Sequence, residues 1–384
     1  MPIAFSNPSN RDIDTLVEVC FSKFDPAGTS GLLVTPPLDE LVPESEPEDE
    51  YVEPADSPPL DFSRFVKAYP FTSSKRKFND LIVAVDSGVL SLGQLSGGGT
   101  AFAIRGAATC YTGNEVLVLS YNTGALVITP QNKVDVFEYI GTRIGKPDLY
   151  VQVVNGALVT RPSAADTQNQ IQDRCRSFVE RMIQEEAIGL LAGNGGGLLL
   201  VDGALTVSYD TPRAYLSAML TSTYNHAVDV CAISKRSRIT IGGMPIDTLF
   251  DPYPTFVGYA PLLSALRAES AAYAAGTRRA PQDMTEGTEI YAARFGFGPP
   301  ALTFRVDTAR SGASLDEDVI NDVYNKSQIY GGYPKPLIDA HQYSSFLGGE
   351  ALTLLADLVV RTNLRVREEQ SMSVLFQPFG AFGK

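Results

Sequence analysis

Two aspartates close matching apolar runs in distant parts of the chain. Leu81-Ile-Val-Ala-Val-Asp86 and Leu198-Leu-Leu-Val-Asp202 each read as a strand buried on both faces that delivers an acid to its C-terminal end. Hard cations such as magnesium or manganese prefer carboxylate oxygens. Strand ends at the carboxyl edge of a sheet hold such ligands rigidly. Two divalent ions ~3.5–4 Å apart can generate hydroxide near neutral pH and neutralise charge growing on a phosphate under attack. Each acid alone also fits ordinary turn chemistry, in the steps Asp86-Ser-Gly and Asp202-Gly. The match between two separate runs is what points to a shared metal site.

A third carboxylate is sought on the helical stretch Ala164 to Leu191, whose Cys175, Phe178, Val179, Met182, Ile183, Ala187, Leu190 and Leu191 form one apolar stripe. At about 100° per residue the stripe centres near Glu186, with Glu185 at its edge and Glu180 on the far side. An acid in a core-facing stripe is costly unless it is paired or holds a metal. That argument selects Glu186 and leaves Glu185 open. Lys235, Arg236 and Arg238 follow the apolar run Ala227 to Ser234 and suit contact with a phosphate, although a charge run is as readily a solvated turn. Ser74-Lys75-Arg76-Lys77 is a further basic stretch. His341 is one of two histidines, the other being His226. A lone histidine is more often structural than catalytic, but its titration near neutrality suits proton transfer. Asp339, two residues before His341, reads as a further ligand or as a surface acid.

These residues need a scaffold of alternating elements. Asp12 to Phe24 has helical apolar spacing. The apolar run ending at Asp86 is followed by Gly88, read as a strand break. Thr100 to Tyr111 and Glu115 to Ile128, separated by Thr112-Gly-Asn114, suggest an antiparallel hairpin. The long helix before Asp202 stops at Gly193-Asn-Gly-Gly-Gly197. Strands alternating with helices in this way indicate an α/β layer fold with part of the sheet parallel. The glycine clusters Ser96 to Thr100 and Gly193 to Gly197 lack the Gly-Lys-Ser/Thr ending of a phosphate loop and the spacing of a dinucleotide fingerprint, so they read as loops and not as ATP sites.

Composition sets further bounds. The chain of 384 residues is 44% hydrophobic and 20% charged, an ordinary globular balance. Its net charge of −13 is concentrated: eleven acids lie between Asp25 and Asp61 in a stretch with no Lys or Arg between Lys23 and Arg64. Without them the chain stands at −2, which permits a basic channel on one face and excludes a globally basic DNA-coating protein. Residues 35–60, rich in Pro, Glu and Asp, read as a disordered insertion, either a solvated loop or an electrostatic mimic of DNA covering a basic groove. The expected organisation is an N-terminal helical segment over 1–34, that acidic insertion over 35–60, and a catalytic domain over 61–384. Four dispersed cysteines with no CxxC pair indicate neither a zinc site nor a disulfide framework, and suit a reducing cytosol. With no signal-peptide pattern and no apolar run near ~20 residues, the expectation is a soluble cytoplasmic protein.

The Val85-Asp86 strand end, the glutamate-bearing helix, Leu200-Val-Asp202-Gly203-Ala-Leu205, Ile233-Ser-Lys235 and Gly332-Tyr333-Pro334-Lys-Pro336-Leu337-Ile-Asp-Ala340-His341 resemble the NurA nucleases in the same order. The resemblance spans roughly Leu81 to Phe346, and its last motif is the most specific. It implies a ribonuclease-H-like mixed sheet flanked by helices and a manganese- or magnesium-dependent deoxyribonuclease, exonucleolytic in the 5′–3′ direction and also endonucleolytic. It further implies work in DNA end resection or break repair beside a HerA-type hexameric ATPase, and the symmetry of such a hexamer suits a homodimer docked on one face. Carried over by residue, Asp86 and Asp202 resemble the metal ligands, Glu185 or Glu186 the helix carboxylate, and His341 the C-terminal active-site histidine. Family spacing favours Glu185, whereas helix geometry favours Glu186 as the third ligand. Two departures stand out: Ser87-Gly88 reverses the usual Gly-Ser order, and the acidic insertion is foreign to the family. The alternative reading is a non-catalytic subunit that keeps the fold and binds DNA or the ATPase. Asp86→Asn separates the two, abolishing cleavage in the first and changing nothing in the second.

Overall fold

The computed structural model describes residues 4–6, 8–24, 31–36, 66–73, 81–113, 115–161, 167–235, 237, 239–241, 244–272, 285–297, 302–312 and 314–368. The chain starts with a short strand β1 (Ala4–Ser6) and helix α1 (Arg11–Ser22), whose cap Asn10 accepts hydrogen bonds from the Asp12 and Ile13 amides. Strands β2 (Leu32–Thr35) and β3 (Tyr69–Pro70) follow. Then come three long strands, β4 (Leu81–Leu95), β5 (Thr100–Thr112) and β6 (Glu115–Ile128), paired antiparallel as a meander. Helix α2 (Lys133–Arg143) and a hairpin of β7 (Val151–Val154) and β8 (Ala157–Thr160) lead to the 26-residue α3 (Gln168–Gly193). Thr167 and Gln170 close a reciprocal capping box at its start. Gly195 and Gly196, both at positive φ, turn the chain from it into β9 (Gly197–Asp202).

β9 lies parallel to β4, and after α4 (Arg213–Asn225) strand β10 (Val228–Ser234) lies parallel to β9. The order β6-β5-β4-β9-β10, with an antiparallel meander on one side and two parallel crossover strands on the other, is a ribonuclease-H-like arrangement. Past a small hairpin of β11 (Thr240–Ile241) and β12 (Met244–Pro245), the sheet is extended by β13 (Gly258–Pro261), β14 (Glu289–Arg294) and β15 (Phe304–Ala309), with α5 (Leu263–Ala272) between β13 and β14. Helix α6 (Asp316–Lys326) and a hairpin of β16 (Ile329–Tyr330) and β17 (Tyr333–Pro334) precede α7 (Lys335–Ser344), α8 (Gly348–Thr362) and β18 (Arg365–Glu368), which pairs with β2.

The runs Leu81–Val85 of β4 and Leu198–Val201 of β9 are continuously apolar because both their faces are covered. Val83, Val85, Leu199 and Val201 join the core beneath α1 to α4, and Ile82, Ala84, Leu198 and Leu200 the core beneath α6 and α7. Gly88 does not end β4, which continues seven residues beyond it. A Cβ there would lie 2.7 Å from the Ser344 carbonyl oxygen, so this glycine lets the end of α7 settle on the strand. The N-terminal segment is woven into the same sheet: β1 pairs with β6, β2 with β4, and Ile13, Leu16 and Cys20 of α1 join the first core. Most of the acidic stretch, residues 37–60, lies outside the described residues. Among the described residues no single helix is long and apolar enough to cross a membrane.

Candidate active site

Val85 and Val201 are partners across the parallel pair β4 and β9, so the next residue on each strand brings Asp86 alongside Asp202. Neighbouring strands lie ~4.8 Å apart, and residues at matching positions share a face. That face is the one covered by α6 and α7. Asp86 is buried, 4% exposed. Its Oδ1 accepts from the Ser87 amide at 2.7 Å, and its Oδ2 lies 2.8 Å from His341 Nδ1 and accepts from Ser344 Oγ at 3.4 Å. Ile233 of β10 pairs with Asp202, and two residues on, Lys235 Nζ donates to Asp202 Oδ2 at 2.7 Å. The same ammonium lies 5.8 Å from the centre of the Tyr333 ring. Three consecutive strands and one helix therefore converge on the two acids.

His341 is held above its ordinary value by the hydrogen bond to Asp86, against the opposing effect of burial; Lys235 lowers it and Asp202 raises it. The histidine thus responds to the whole cluster. With Nδ1 turned to Asp86, its Nε2 is the nitrogen left for other partners.

The helix carboxylate that comes next to Asp86 is Glu180, through a hydrogen bond to Ser87, and wheel geometry places it on the far side of the apolar stripe. Ser87 and Gly106 are partners across β4 and β5. Ile183 enters the space over Gly106, where a Cβ would meet its Cδ1 at 2.0 Å. One turn earlier, Glu180 Oε2 accepts from Ser87 Oγ at 2.6 Å and pairs with Arg176 at 3.3 Å, while Oε1 accepts from Gln184 at 3.2 Å. Its pKa is raised, first by burial and also by the nearby charge of Asp86, with Arg176 and Ser87 opposing. Ser87 faces away from Asp86 in the strand alternation, so Glu180 approaches from the opposite side of the sheet.

Glu185 and Glu186 are placed elsewhere. Glu185 pairs with Arg143 at 2.6 Å and accepts from the Tyr215 hydroxyl at 3.1 Å. Glu186 is exposed and accepts from Asn10 at 2.7 Å and the Tyr121 hydroxyl at 2.9 Å. Both tie α3 to its helical and sheet neighbours away from Asp86. Helix α3 lies on β4 and β5 with Ile183 over Gly106 and Glu180 one turn before it on Ser87, which leaves Glu185 and Glu186 to α1, α2, α4 and β6. Asp339 is not a surface acid: it is buried against Tyr111 and Lys335. His226 caps the end of α4 beside the Ser222 carbonyl. Arg236, Arg238 and Ser74 to Lys77 lie outside the described residues.

Among the described residues, no group of three acid, histidine or cysteine side chains is gathered as a metal cage. The donor set nonetheless fits a hard divalent cation. Magnesium-like ions keep much of their water and are commonly held by one or two carboxylates together with substrate phosphates, and Asp86 and Asp202 offer two carboxylates side by side on rigid strands.

A ribonuclease-H-like sheet with paired acids at its centre thus defines the class of structure. The chain is similar to the crystal structure of the NurA nuclease from Sulfolobus solfataricus, at 13% identity over 78% of this chain and 88% of that one, with a TM-score of 0.42. It is also similar to NurA bound to dAMP and manganese, at 14% identity over 76% of this chain and 90% of that one with a TM-score of 0.35. A third similar structure is NurA with manganese, at 13% identity, 76% and 91% coverage, and a TM-score of 0.33. No family model matches the sequence, and no curated protein matches it.

Proposed function

We propose that the protein is a manganese- or magnesium-dependent deoxyribonuclease. The observation that carries this reading is the adjacency of Asp86 and Asp202 on paired parallel strands, with a lysine on one acid and a histidine on the other. Hydrolysis adds a hydroxyl to phosphorus and returns a proton to the departing oxygen. Asp86 and Asp202 would hold the cation, and Glu180 would support it from the other face. A cation bound there supplies charge neutralisation at the phosphate and lowers the pKa of water. Lys235 stands where it can trade Asp202 for a non-bridging phosphate oxygen. His341, oriented through Nδ1 by Asp86, presents Nε2 to move a proton to or from the reacting oxygens. Tyr333 walls the side next to Lys235.

The finer reading is a 5′–3′ exonuclease with endonuclease activity, acting as a cytoplasmic homodimer in end resection beside a HerA-type hexameric ATPase. It draws support from the motif resemblance and from the lack of a phosphate loop, which leaves translocation to a separate motor. The test is digestion of end-labelled single- and double-stranded DNA with manganese or magnesium. Wild type should cleave, and Asp86→Asn and Asp202→Ala should not. DNA left intact by wild type across metals, with and without the ATPase, would support the non-catalytic partner instead.

A further inference from the structure

The hairpin that carries Tyr333 has a second aromatic on it. Gly331 and Gly332 form its two-residue turn, at φ of 57° and 84°, the left-handed geometry that twists tightly enough to join two strands. Tyr330 is the register partner of Tyr333, so the two rings stand on the same side of the hairpin. Tyr333 is partly buried, its ring 5.1 Å from Phe304 and near Lys235, whereas Tyr330 is 71% exposed. The chain leaving β14 comes against the same turn: a Cβ on Gly296 would lie 2.9 Å from the Gly332 Cα. The next residue, Phe297, is 79% exposed. Two of the most exposed large side chains among the described residues thus flank one glycine-glycine contact. Through its register partner Tyr333, Tyr330 neighbours Lys235, which in turn donates to Asp202.

Isolated exposed apolar residues need no explanation, but this pair is contiguous with a phosphate-handling lysine. We infer that Phe297 and Tyr330 form a stacking platform for unpaired nucleobases, which holds a single-stranded DNA end as its backbone passes to Lys235 and the paired aspartates. The inference rests on the reading of the site as a nuclease and names the substrate form it grips. An intact duplex offers no free base faces except at its ends, whereas every unpaired base presents a π-face to an aromatic ring. Lysine contact to phosphate is indifferent to strandedness, so preference for unpaired DNA has to come from side chains such as these. Gly331, Gly332 and Gly296 bring the two segments together without side chains between them.

The test is binding of fluorescently labelled oligodeoxythymidylate, and of a blunt duplex of equal length, to the full chain with metal chelated, followed by fluorescence anisotropy. Phe297→Ala with Tyr330→Ala should weaken single-strand binding by about tenfold or more, as loss of one to two stacked bases implies, and change duplex binding by less than about twofold. Phe297→Tyr with Tyr330→Phe should restore the wild-type preference. Because both residues are exposed, unchanged thermal unfolding is expected for either double variant. Equal weakening on both DNAs, or no weakening, overturns the platform, as does a change in self-association with DNA affinity unaltered. A wild type that binds single strands through this pair but cleaves nothing with any metal removes the nuclease reading and leaves the platform standing. Cleavage abolished by Asp86→Asn, with the aromatic pair indifferent, does the reverse.

Discussion

Glu180 enters from one face of the sheet and Asp86 from the other, and the negative charge of Asp86 adds to the burial that raises the glutamate. Glu180→Gln keeps the size and one acceptor of the side chain but removes the charge. It should leave the fold intact and reduce metal-dependent cleavage by about 10- to 100-fold, the usual cost of losing a group that supports metal ligands. Glu185→Gln and Glu186→Gln should instead lower the unfolding temperature through Arg143, Tyr215, Asn10 and Tyr121, with turnover per folded molecule unchanged. Steady-state cleavage alongside thermal melts separates these outcomes; equal activity loss in all three variants would count against Glu180. The aspartates were legible in the sequence because an apolar run ending in an acid is a local pattern. Glu180 was not, because its importance depends on which side of a many-sided helix meets Ser87, and only the packing of Ile183 on Gly106 decides that.

At the scale of elements, two glycines set how closely helices approach the central strands. Gly106 leaves room for Ile183 of α3, and Gly88 leaves room for the Ser344 carbonyl at the end of α7. Gly106→Ala should cost about 1–3 kcal/mol by overpacking. Ile183→Val, which deletes the Cδ1 atom in the way, should recover much of that in the same chain, a coupling that a double-mutant cycle in urea would read. Gly88→Ala meets backbone, which cannot rotate aside. It should displace α7 and with it His341, so that cleavage falls further than in a Gly106→Ala variant of equal stability. Matching activity losses at equal stability would show that α7 does not position the histidine. The hairpin of β5 and β6 could be read from its turn residues, but the sequence showed Gly88 only as a breaker, since a strand glycine and a terminating glycine look alike until the partner helix is seen.

Across the whole molecule, the two ends of the described chain close onto one sheet: β1 lies on β6, and β2 joins β4 to β18. Sequence reading set the N-terminal helix apart because its apolar stripe is short and an acidic stretch follows. Its core partners, Val136 and Cys175 among them, come from segments more than a hundred residues away. A similar long-range tie secures α8. Arg105 of β5 pairs with Glu350 through both carboxylate oxygens, at 2.8 and 3.1 Å, donates to the Ser345 carbonyl, and lies over the Phe346 ring. The guanidinium holds Glu350 below its ordinary 4.5. A carboxylate whose folded value is depressed contributes stability that is fully present above its unfolded value and is lost as pH falls through the folded one. Glu350→Gln should therefore be less stable than wild type at pH 7, and the gap should narrow below pH 4.5 as wild type takes up the proton. The side chain is about a third exposed, so the difference is small, and low ionic strength is the condition in which to see it. Urea unfolding of the two proteins from pH 7 downward gives the comparison directly: curves that converge in acid assign the tie to charge, and curves that stay parallel assign it to the contacts of Arg105 with Ser345 and Phe346.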